Sequence, residues 1–112
     1  MTWTALQYKR AWDELYAKCD LDAQATADQR LETLRQRGNL CRRPITANLR
    51  DGIFELRAKD ARFLFYFGSL GRTVVFVHGL IKKQGNVPPR DIEQARYNRA
   101  LAEPQEAKLD VV

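Results

Sequence analysis

The sequence predicts an α+β fold with N-terminal helices, a small antiparallel sheet and a C-terminal helix. Three observations carry that prediction. Residues 21–37, LDAQATADQRLETLRQR, place Leu31 and Leu34 at helical spacing. From Gly52 the apolar period changes to two, in GIFELRAK, RFLFYF and TVVFVHG. Finally, PPRDIEQARYNRALAE opens on proline and carries Asp91 and Glu93 in its first turn, where a helix dipole favours negative charge.

Taken in order, residues 5–18 carry Leu6, Trp12, Leu15 and Tyr16, a rough helical face. A short strand near Thr2–Gln7 is the alternative. The helix over 21–37 meets a natural stop at Gly38-Asn39. CRRPITANLRDG then reads as a polar loop around Pro44. The three strands that follow form an antiparallel meander, and the chain frays after Glu103, leaving residues 104–112 as a flexible tail on a single domain spanning 1–112.

A turn at Asp60-Ala61 pairs Lys59 with Arg62, Arg57 with Leu64 and Glu55 with Tyr66. The opposite face then joins Ala58 to Phe63, Leu56 to Phe65 and Phe54 to Phe67. A one-residue slip would set charge against phenylalanine, so the register is read as well specified. A second turn at Leu70-Gly71 pairs Phe67 with Val74, Phe65 with Phe76 and Phe63 with His78, which leaves Gly79 opposite Arg62. One face is thus aromatic and aliphatic. The other carries Glu55, Arg57, Lys59, Arg62 and Tyr66, and Lys82 and Lys83 emerge beside it. Gly79, without a side chain, leaves room for a ligand next to Arg62.

Composition narrows the function. The 112 residues carry a net charge of +5. Between Arg42 and Arg99 there are twelve Arg or Lys against five Asp or Glu, so the excess lies in the second half of the chain. Such a concentration suits a polyanion such as nucleic acid, or equally a solvated surface. There is no signal-peptide pattern and no apolar run long enough to span a bilayer, so a cytoplasmic location is expected. Cys19 and Cys41 form no metal-binding pair and are expected as reduced thiols. The carboxylates are scattered, so neither metal nor other cofactor is expected.

GIFELRAKDARFLFYF, then VVFVHGLIKK, then proline and DIEQARYNRA resemble the HigB-like, phage-derived branch of the RelE superfamily of bacterial toxins. The resemblance covers roughly residues 10–102. Its most specific parts are Gly52 with Glu55-Leu56-Arg57, Arg62 with Tyr66, and His78-Gly79 before Lys82-Lys83. It implies a type II toxin that cleaves messenger RNA on the ribosome, inhibits translation, and is neutralised by a cognate antitoxin carrying a DNA-binding segment. It places Arg57, Arg62, Lys82 and Lys83 at the positions of the active basic residues. The best-studied members have a tyrosine soon after the last of these. KKQGNVPPRD has none, and Tyr97 lies on the following helix, so the general base stays open.

The residue types suit metal-free RNA cleavage, in which the 2′-hydroxyl attacks the neighbouring phosphate. Arginine offers a planar fork to the phosphorane, and lysine binds RNA or handles a proton. Lys59, Tyr66 and Arg90 are candidates for RNA binding, Tyr66 by stacking on a base. A solvated sheet face and helix face are the plain alternatives. Glu55 is expected to orient an arginine. His78, paired with Phe63 on the core side, is expected to pack rather than react. The competing function is a non-catalytic nucleic-acid-binding module that uses the same face.

Overall fold

A computed structural model describes residues 2–112. Its elements run β1 (Thr4–Gln7), α1 (Ala11–Lys18), α2 (Leu21–Arg37), β2 (Thr46–Arg50), β3 (Ile53–Ala58), β4 (Ala61–Phe67), β5 (Thr73–Ile81), α3 (Pro89–Ala102) and β6 (Asp110–Val111). The six strands form one sheet in the order β2-β3-β4-β5-β1-β6, antiparallel except where β1 runs parallel to β5. The expected α+β class and the central meander are both present.

The helix over 21–37 has the bounds read from the sequence. Asp20 caps it by accepting from the Ala23 amide at 2.8 Å. The expected helix over 5–18 is instead a strand followed by a shorter helix, the alternative left open by the sequence. Thr4–Gln7 finds a parallel partner in Thr73–Phe76, and the chain then turns through Lys9 and Arg10, both at positive φ. The expected loop after Gly38 contains β2, whose TANLR pattern has no clean alternation and which is an edge strand beside β3. The end of the chain does not fray. Residues 103–108 form a 3₁₀ segment that buries Glu106, and β6 pairs with β1.

Both sheet faces are covered, and this changes the reading of the polar one. On the first face Phe63, Phe65, Phe76 and Leu56 pack against Trp12 and Leu15 of α1 and Ala27 and Leu34 of α2. Trp12 stacks on Phe63 with centroids 4.1 Å apart. On the second face Ile53, Leu64, Tyr66, Val75 and Val77 pack against Val87 and the Ile92, Ala95 and Ala102 stripe of α3. The face read as open and polar is therefore the floor of a second core.

The β3–β4 turn falls at Lys59-Asp60, one residue earlier than read, with Lys59 at φ 57°. Arg57 therefore faces Arg62, Glu55 faces Leu64 and Phe54 faces Phe65. Moving the turn by one residue shifts each pairing by two, so the side chains of β3 and β4 keep their expected faces, whereas Lys59, expected opposite Arg62, sits in the turn and reaches Asp22 of α2. Phe67–Val74 and Phe65–Phe76 pair as expected. A β-bulge then inserts Val77, so that His78 faces Leu64 and Gly79 faces Phe63.

Candidate functional site

The bulge overturns two expectations. His78 does not pack with Phe63. It lies on the α3 side, where its Nε2 sits 2.8 Å from Asp91 Oδ1 in the first turn of α3. Gly79 does not make room beside Arg62. A Cβ there would meet Leu15 at 2.9 Å, so the glycine admits α1 to the sheet.

Arg62 also departs from expectation. It keeps the predicted face but is only 2% exposed. Its Nη1 donates to the Lys59 and Ala61 carbonyls at 2.6 and 3.2 Å, and its Nε lies 3.5 Å from Glu55 Oε1. Glu55 thus pairs with an arginine, as the sequence suggested, though that oxygen has no hydrogen-bond partner. Burial first, then the charge of Arg57, pushes the Arg62 guanidinium pKa down, while Glu55 and Asp60 oppose the shift.

Tyr66 is fully buried, not a stacking platform. Its hydroxyl donates to Glu106 Oε2 at 2.7 Å, and Arg99 lies over its ring at 4.6 Å. Burial, then the bond to Glu106, pushes its pKa well above the ordinary phenol value.

The remaining cations divide by partner. Lys59 pairs with Asp22 at 3.3 Å, and Arg50, Arg96 and Arg99 pair with carboxylates around α3. Among the described residues Arg57, Lys82, Lys83 and Arg90 have no carboxylate within ion-pair distance. Arg57, Arg62 and Leu80 form one row across β3, β4 and β5, and two residues beyond Leu80 the Lys82 amide donates to the Asp60 carbonyl of the turn. Arg57 and Lys59 also line a recess of about 400 Å³ with Arg30 and Gln29.

A second feature had no signal in the sequence. β1 leaves β5 after the Gln7–Phe76 pair, and a cleft of about 610 Å³ opens between the end of β5, α1 and α3. His78, Tyr8, Lys9, Glu14, Lys18 and Tyr97 are among its lining residues. Asn98 holds α3 to the cleft wall by donating to the Val77 carbonyl at 2.8 Å. Only a bulge and a helix docking bring His78 and Asp91 together, and neither leaves a spacing rule to read. Among the described residues, no three His, Cys, Asp or Glu side chains gather as metal ligands. No helix among them is long and apolar enough to cross a membrane.

The family described as Phage derived protein Gp49-like (DUF891) matches residues 14–100. No curated protein matches the chain. A chain of the toxin–antitoxin complex RelBE2 from Mycobacterium tuberculosis superposes with a TM-score of 0.55 at 17% identity, covering 73% of this chain and 100% of that one. At that identity the likeness is one of fold. The chain belongs to the phage-derived Gp49-like family and has a RelE-like toxin fold.

Proposed function

We propose that the chain is the toxin of a type II toxin–antitoxin system, of the HigB-like branch, and that it cuts messenger RNA on the ribosome without a metal. The observation that carries this reading is the cationic end of the sheet. Arg57 lies opposite the buried Arg62, Lys82 and Lys83 follow the end of β5 beside the β3–β4 turn, and among the described residues none of these three has a carboxylate within ion-pair distance. Unneutralised cations at a strand and just past the end of its sheet suit a phosphate backbone. In this role Arg57, Lys82 and Lys83 hold RNA, with Lys59 and Arg90 as outer contacts. Arg62 acts from beneath by fixing the β3–β4 turn that carries them. The 2′-oxygen attacks the adjacent phosphorus and the bond to the 5′-oxygen breaks, leaving a cyclic phosphate and a 5′-hydroxyl.

The implied partner is an antitoxin that covers this basic surface, and the implied compartment is the cytoplasm. The test is induction of the chain in a bacterial host, alone and with the neighbouring small open reading frame, while the 5′ ends of messenger RNA are mapped. Growth arrest with new 5′ ends, relieved by the neighbour, is the expected result. A second reading, a binding module without catalysis, is favoured by the burial of Arg62, which keeps its guanidinium on backbone carbonyls. RNA binding without new 5′ ends would select it.

A further inference from the structure

RNA cleavage by the proposed route requires a group to take the 2′-hydroxyl proton, and a guanidinium cannot do so. Resting on that proposed function, we propose that His78, held by Asp91, is this proton acceptor, and that the cleft between α1, β5 and α3 seats the nucleotide whose 2′-oxygen attacks.

The hydrogen bonding sets the tautomer. An ionised Asp91 only accepts, so Nε2 carries the proton at the 2.8 Å contact. Nδ1 is then the basic nitrogen, and among the described residues no hydrogen bond occupies it. Both side chains are partly open to solvent, at 22% for His78 and 18% for Asp91. This is the arrangement of an oriented base, a carboxylate behind an imidazole whose other nitrogen is free.

The cleft has the fittings for a nucleotide. Its volume of about 610 Å³ lies within the range of small-molecule sites, about 300–1,000 Å³. Tyr97 is 63% exposed on its wall and offers a ring for base stacking. Lys9 and Lys18 line it and, among the described residues, have no carboxylate within ion-pair distance, so they can offset phosphate charge. Glu14 is the carboxylate among the lining residues, and Asp91 lies against His78, so the cleft suits a nucleotide better than a bare anion. Lys9 and Arg10 stand consecutively at φ 46° and 59°, a strained left-handed pair in the β1–α1 turn, from which Lys9 lines the cleft.

The cleft also adjoins the cationic row. His78 and Leu80 share a face of β5, facing Leu64 and Arg62 of β4. Strand geometry sets His78 about 7 Å from Leu80 along β5, and Lys82 follows directly after the strand ends at Ile81. An RNA strand held at Lys82 and Arg57 can therefore run along β5 into the cleft. In the reaction Nδ1 takes the 2′-hydroxyl proton, the 2′-oxygen bonds to phosphorus, and the 5′-oxygen leaves with a proton from water. The imidazolium then returns its proton to solvent.

The test is single-turnover cleavage of ribosome-bound messenger by the full chain, with a thermal melt on every variant. His78→Gln retains a donor to Asp91 but supplies no base, and it should cut about 10²–10⁴-fold more slowly at an unchanged melting temperature. His78→Ala should recover part of its rate when imidazole is added. Asp91→Asn should slow cleavage without imidazole rescue, because its ring is still in place. A folded His78→Gln that cuts within threefold of the parent overturns this inference and leaves the proposed function standing. If His78→Gln melts early, the imidazole arm decides, and absence of rescue overturns the inference. A parent chain that leaves ribosome-bound RNA intact overturns both.

Discussion

Replacing Arg62 by alanine tests the buried pair beneath the cationic row. The sequence alone predicts a tolerated change on an open face, whereas the structure predicts a damaged fold. The substitution removes two hydrogen bonds to the carbonyls of the β3–β4 turn and leaves the Glu55 carboxylate buried without a counter-ion. Breaking one side of a buried pair costs about 3–5 kcal/mol, a large share of the roughly 5–15 kcal/mol that holds a domain together. With an unfolding entropy near ~2.1 cal/mol/K per residue over 112 residues, the melting temperature should fall by about 13–21 °C. Removing both charges is different, because Glu55→Leu with Arg62→Met leaves no orphaned carboxylate and should recover most of the loss. Thermal and urea unfolding of the parent, both single variants and the double variant form the assay. An Arg62→Ala protein melting within about 4 °C of the parent, a loss of about 1 kcal/mol, would refute the reasoning. So would a double variant no more stable than Arg62→Ala.

Tyr66→Phe should cost about 1.5–3 kcal/mol by removing the bond to the charged Glu106, read by urea unfolding at neutral pH. The Tyr66 pKa is raised on folding, so the native state holds its proton more tightly. That contribution is complete below the ordinary phenol value of 10.0 and is lost as pH climbs beyond it. Tyr66→Phe should therefore flatten the alkaline limb of stability against pH. Gly79→Ala should lose about 1–3 kcal/mol through contact with Leu15 and regain stability when combined with Leu15→Ala. Urea unfolding of both variants would expose the error if Gly79→Ala proved as stable as the parent. Arg57→Ala and Lys82→Ala should each weaken RNA binding and lower the salt slope by about 0.7, whereas Arg96→Ala, already paired with Glu93, should change the slope little.

Much of the fold was legible because local pattern and final environment agree. Alternation in GIFELRAK and RFLFYF put Phe54, Phe63 and Phe65 on one face, and they remain there although the turn moved by a residue. Helix 21–37 and the proline entry at 89 carry their own start signals. β2 and β1 were less visible, since a short strand owes its existence to a neighbour, Ile53–Ala58 for one and Thr73–Phe76 for the other. The tail was misread for the same reason, because Glu106 is ordered by Tyr66 and Ser69, about forty residues earlier in the chain.

At the site, the sequence alone determined residue types, net charge and which side chains share a face. Arg57, Lys82 and Lys83 follow from those. Period two says that Arg62, Glu55 and Tyr66 leave the phenylalanine face, but not whether they enter water or a second core. Docking of α3 and Val87 decided that. One inserted residue, Val77, then turned His78 from the core towards Asp91. Alternation is a local property of the backbone, whereas burial and register depend on which distant segment arrives, and only the tertiary structure records that.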